Sequence, residues 1–224
     1  MAMEAEQWQQ CNNPVAMINS LDRKLLTPHK YQLLLIAICR HELSQVKGTR
    51  PRLLRGLEVA ERYVDGQATV AQIRNASARM RGKDRNGLHG VGLLAASALR
   101  KPAGLVSEFA ELLDRELDEQ SYPRVTHLIR EIFPPPGITA DTIQTDWLTH
   151  NDGVIRKIAR AIYEECAFDR LPVLADALMD AGCDNDEILN ACRSPGPHVR
   201  GNWVIDLILG KGRQITGRGG AVRQ

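Results

Sequence analysis

Apolar residues recur at helical spacing along most of this chain, and strand-like alternation is nearly absent. Thr27-Pro28 pairs a capping residue with a first-turn proline, ahead of Tyr31, Leu34, Leu35, Ile38 and Cys39. Pro51 opens a second helix carrying Leu53, Leu54, Leu57, Ala60 and Val64 on one face, which Asp65-Gly66 ends. Thr69 and Gln72 have capping-box spacing and start a helix running toward Arg81-Gly82. Residues 82–90 read as a glycine-rich loop, 91–100 as a buried helix and 102–117 as an acidic amphipathic helix. Ser121 and Pro123 begin one more helix, ending at Phe133.

Pro134-Pro135-Pro136-Gly137 is the clearest break, since three prolines cannot continue a helix and favour an extended spacer. Beyond it, Asn151-Asp152-Gly153 precedes a helix with Val154, Ile155, Ile158, Ala159 and Ile162. Asp169 is the expected cap of the next helix, with Pro172 in its first turn and Gly182 as its stop. Asp184 begins a capping-box start for a short helix, and Trp203, Val204, Leu207 and Ile208 mark a last one ended by Gly210. The expected fold is all-α. It comprises a helical region over 1–133, a Pro-rich linker over 134–146, a compact helical bundle over 147–210 and a disordered basic tail over 211–224.

Composition narrows the class. With 224 residues, 43% apolar and 25% charged, the chain has the makeup of a globular protein able to bury its own core. The longest apolar run, Leu33–Cys39, falls far short of the roughly 20 residues a bilayer span needs. Five cysteines without framework spacing and a polar, acid-bearing start point to a reducing, cytoplasmic setting. The net charge of +2 conceals segregation: residues 70–101 and 191–224 are basic, and 102–190 acidic.

The C-terminal half carries a resemblance. Its residues are Trp147-Leu148 with Asn151-Asp152-Gly153, Tyr163-Glu164-Glu165, Phe168 through Leu178, Ala181-Gly182-Cys183, Pro197 through Gly201, Trp203 and Leu209-Gly210-Lys211. This pattern resembles a large paralogous family of uncharacterised helical proteins from planctomycete-type bacteria. Arg23-Lys24 and Val59 through Gly66 are similar to that family's front half. The resemblance implies a helical fold and no particular reaction. The chain departs from the family's pattern at Asn202, where Cys is common, and at Ala191, where His is frequent; of a cysteine-rich segment near Ile38–His41 only Cys39 remains.

Candidate chemistry is sparse. Cys183, Cys192 and His198 are weak metal candidates, three ligand types at irregular spacing where a structural zinc site needs four. Cys39 and His41 lie two apart on a helix and cannot pair directly, and Cys166 follows two glutamates. Asp169, Asp176 and Asp180 share a helix and read as a solvated face. The glycines at 87, 90 and 92 follow no strand, so they do not form a dinucleotide fingerprint. Arg74, Arg79, Arg81, Lys83 and Arg85, with Arg213, Arg218 and Arg223 on the tail, are candidate contacts to a nucleic-acid backbone. His198, Arg200, Trp203 and Arg170 are candidate partner contacts. The competing reading makes Trp203 a core plug and pairs Arg200 with Asp169 or Asp176.

No cofactor, membrane contact or small-molecule substrate is indicated. The sequence points first to a non-enzymatic interaction or adaptor subunit with a protein partner. An accessory nucleic-acid-binding subunit comes next, and an enzyme or zinc site around Cys183, Cys192 and His198 third.

Overall fold

A computed structural model describes residues 3–45, 51–80 and 119–211. Ten α-helices and no strand occur among these residues, so the protein is all-α. The expected loop and helices over 82–117 lie outside the described residues, as do Arg81, Lys83, Arg85, Arg213, Arg218 and Arg223.

Two short helices, α1 (Ala5–Gln10) and α2 (Pro14–Ser20), precede the first one expected. Their signals are local but brief: Asn13 caps α2 by accepting from the Ala16 N–H, and Trp8 on α1 is completely buried. The Arg130 guanidinium donates to the carbonyls of Trp8 and Cys11 at the end of α1, where a helix leaves acceptors unpaired.

Helix α3 (Pro28–Gln45) runs through the first core, and Leu33 through Cys39 are all buried. A helix apolar on every side must be enclosed by others. Helices α4 (Pro51–Val64) and α6 (Tyr122–Ile132) flank it, and α5 (Val70–Met80) packs on α4. Arg40 grips Glu61 with two parallel hydrogen bonds of 2.6 and 2.9 Å, fixing α3 against α4. The expected caps form: Thr27 Oγ1 accepts from the Lys30 N–H, Thr69 and Gln72 close a reciprocal box, and Gly66 takes a positive φ after α4.

The second core is built from α7 (Thr145–Glu165), α8 (Leu171–Asp180), α9 (Asp186–Arg193) and α10 (Trp203–Leu209). Asn151, Asp152 and Gly153 are successive left-handed residues that interrupt α7, so the helix proper resumes at Val154. Two caps differ from expectation. Residues 168–170 form a 3₁₀ turn ahead of α8, so Arg170 occupies the cap position and Asp169 caps nothing. Asn185, not Asp184, caps α9 by accepting from the Ile188 N–H.

The proline segment is neither an extended nor a solvated spacer: it turns at Pro136-Gly137, where the Ile138 N–H donates to Pro135 O at 3.2 Å. Pro134 and Pro135 are buried where the cores meet, and Ile138 and Ile143 already belong to the second core. Lys211, the first residue of the expected tail, is held in the fold, its ammonium 3.3 Å from the Tyr163 ring centroid; residues 212–224 lie outside the described residues.

Candidate functional site

The two cores are apolar, but the surfaces that join them are not. Among the described residues three buried or half-buried polar clusters cross between the lobes, each made by side chains far apart in sequence, and Gln9 Nε2 adds an exposed hydrogen bond to Glu187 Oε2 at 3.3 Å.

Lys30 makes the deepest. It extends from α3 into the seam, and its three N–H donors reach Ile132 O (3.0 Å), Gly201 O (2.9 Å) and Asp206 Oδ2 (2.5 Å). Every donor of the ammonium is used, which is what allows a lysine to be buried. Asp206 on α10 is only 3% exposed, and its second oxygen, Oδ1, has no hydrogen-bond partner.

The second contact centres on His198. Its Nδ1 lies 2.9 Å from Glu131 Oε2 and its Nε2 2.8 Å from Ser194 O. A carbonyl only accepts, so Nε2 donates, and the protonated ring donates from Nδ1 to the Glu131 carboxylate as well. Burial pushes the imidazole pKa down, but the hydrogen bond and charge of Glu131 outweigh it and the net shift is upward. Asn202 completes the group: Oδ1 accepts from the Val204 and Ile205 N–H groups at the start of α10, and Nδ2 donates to Glu131. Asn202 thus serves both lobes with one amide.

The third contact gathers around Asp65, just past α4. Burial pushes the Asp65 carboxyl up, but His29, the Tyr163 hydroxyl, Lys211 and Arg200 outweigh it and hold the pKa at about 2. Tyr163 donates to one oxygen and Arg200 to the other. His29 stays 3.9 Å away, so its contribution is electrostatic rather than a short hydrogen bond. Arg200 also lies over the Tyr163 ring and donates to the Cys166 sulfur at 3.0 Å.

These contacts decide where the expected partner residues stand. His198 and Arg200 are seam residues, and Trp203, 3% exposed, lies in the second core. Arg200 pairs with Asp65, not with Asp169 or Asp176; Asp176 is met by Arg193. Arg170 is exposed and pairs with Glu165 at 2.8 Å.

The weak metal candidates do not assemble. Cys183 and Cys192 are buried, where loss of solvent raises both thiols and pushes Cys192 up to about 12. His198 has no free ring nitrogen to offer. Among the described residues no group of three or more His, Cys, Asp or Glu is placed to hold a metal. Cys39 is likewise buried, and burial raises its thiol pKa.

Beside the Lys30–Asp206 pair the seam opens into a cleft of about 1060 Å³. Leu25, Ile143, Leu148, Trp203 and Leu207 supply apolar lining, the three prolines contribute to one wall, and Lys24, Arg156, Arg160 and Lys211 bring cations. Comparison with protein families, curated proteins and solved structures finds no match to the chain. No helix among the described residues is long and apolar enough to cross a membrane.

A second, smaller groove of about 510 Å³ lies between α4 and α5, lined by Arg52, Arg55, Gly56, Val59, Ala76 and Arg79. Arg79 was anticipated from the basic run. Arg52 and Arg55 were not, because residues 52–79 appear basic only when two helices are laid side by side. Arg74 is exposed on the same α5.

Proposed function

We propose that the chain is a non-enzymatic interaction subunit that receives part of a protein partner in the cleft between its lobes. The observation carrying this reading is the cleft itself, which combines apolar lining with the cations of Lys24, Arg156, Arg160 and Lys211. That composition matches the core-and-rim anatomy of protein interfaces. The polar seam supports the same reading, because it presets the orientation of the two lobes and a preorganised site loses less freedom on binding. The direct test is affinity capture from the native cell using the full chain and an Arg156→Glu/Arg160→Glu variant. The expected result is a protein enriched by the wild type and lost with the variant. No protein enriched over an unrelated helical control overturns the reading.

The Arg52, Arg55 and Arg79 groove favours a second reading, an accessory contact to nucleic-acid backbone. Three neutralised phosphates predict a log–log salt slope of about −2.7 on duplex DNA, at about 0.9 per contact. A flat salt dependence sets this reading aside.

A further inference from the structure

We infer that the inter-lobe cleft takes an extended acidic peptide segment of a partner, with a bulky apolar side chain as its anchor. The inference rests on the interaction-subunit reading and specifies what enters the site.

The charge balance gives the sign of the occupant. Lys30 and Asp206 neutralise each other at 2.5 Å. Lys24, Arg156, Arg160 and Lys211 then stand against the single carboxylate of Asp22 among the lining residues. Arg156 and Arg160 are exposed one helical turn apart on α7, four positions being the spacing that puts side chains on one face. Carboxylates on the occupant would meet this pair without deep burial of either charge.

The hydrogen-bonding groups give its backbone. Pro134, Pro135 and Pro136 have no N–H, so their stretch of wall has no main-chain donors, and of its carbonyls Pro135 O already accepts from the Ile138 N–H at 3.2 Å. Asp206 lines the same cleft, and its Oδ1 is unpartnered and closed to solvent. The four cations call for carboxylates, and the proline wall calls for donors. Peptide N–H groups supply them along an extended chain, whereas an alkyl carboxylate such as a fatty acid supplies none.

The lining gives the anchor and the size. Ile143, Leu148 and Leu207 form an apolar patch beside Trp203. A volume of about 1060 Å³ lies at the upper edge of small-molecule sites, which run to about 1,000 Å³, and accommodates several residues of chain.

The experiment is fluorescence anisotropy on the full chain with three labelled probes: a short peptide alternating Glu and Leu, one alternating Lys and Leu, and one alternating Glu and Ser. The Glu–Leu peptide is expected to bind, with each of the others weaker by about tenfold or more. Arg156→Glu/Arg160→Glu should weaken Glu–Leu binding by about tenfold with an unchanged thermal melt, since both side chains are exposed. Leu148→Ser tests the anchor on the opposite account and should weaken the Glu–Leu peptide but not the Glu–Ser one.

Equal binding of the Lys–Leu peptide overturns the inference, as does full affinity in the charge-reversed variant. No Glu–Leu binding at about 1 mM peptide does the same, that being the weak limit of useful affinity. Displacement of the peptide by single-stranded RNA through the same two arginines would assign the cleft to nucleic acid. The affinity capture separates the two levels. A captured partner that survives the charge reversal removes the cleft assignment and leaves the subunit reading standing; an empty capture removes the reading itself.

Discussion

Inside each lobe most buried contacts are apolar, whereas the contacts that join the lobes are largely polar. Leu33 through Cys39 on α3 are buried without a charge among them, while one turn earlier Lys30 carries its ammonium into the seam. The difference separates two jobs. Apolar packing tolerates exchange of one shape for another of equal volume. An ion pair with every donor committed tolerates very little, so the seam fixes how the lobes face each other while the cores supply most of the driving force for folding.

The sharpest way to break this comparison is Lys30→Met. It leaves Asp206 buried without its cation and should lower stability by about 3–5 kcal/mol in urea unfolding. Adding Asp206→Leu removes the stranded charge and should recover much of the loss; no recovery would mean that the carbonyl contacts of Lys30, not the ion pair, carry its weight.

Gly201→Ala comes next. Gly201 has φ of +94°, and a Cβ there would lie 2.8 Å from Leu33 Cδ1 across the seam. Strain plus overpacking should cost about 1–3 kcal/mol, read as a lower melting temperature. An unchanged melt would show the lobe contact to be loose at this point.

Acidity offers a milder probe that reads two seam contacts from opposite ends. The folded His198 pKa is raised, so its contribution is full below about 6.5, the ordinary value, and fades as pH rises through the shifted one. The folded Asp65 pKa is lowered from 3.8 to about 2, so its contribution is full above 3.8 and fades as pH falls through about 2. Stability should therefore plateau between these limits. His198→Gln should flatten the alkaline limb alone, and Asp65→Asn the acid limb alone, in melts across a pH series. Smallest of all is Arg170→Ala. Its pair with Glu165 is exposed on both sides and should change stability by no more than about 0.5 kcal/mol.

What the sequence made legible was local. Thr27, Thr69, Gly66 and Gly210 announce helix ends because a cap and its partner lie within a few residues. The seam carried no such signal. Arg200 and Asp65 are 135 positions apart, Glu131 and His198 are 67 apart, and Lys30 and Asp206 are 176 apart. That Arg200 needs an acid was readable from its chemistry; which acid was set by the path of α4 and the turn after it. The cleft was hidden for the same reason, since Lys24 and Arg160, 136 positions apart, come to line one cleft only in the folded chain.

Lys30 also bears on how the molecule comes apart. Its three acceptors belong to the end of α6, the turn at Gly201 and the body of α10. Detaching any one stretch alone would strand a donor in a place built to exclude water, a local penalty of about 1–3 kcal/mol. Partly opened forms are thereby disfavoured relative to both the intact and the fully unfolded chain. Parting the lobes at this point therefore costs more than parting apolar surfaces alone, which disfavours hinge opening of the cleft.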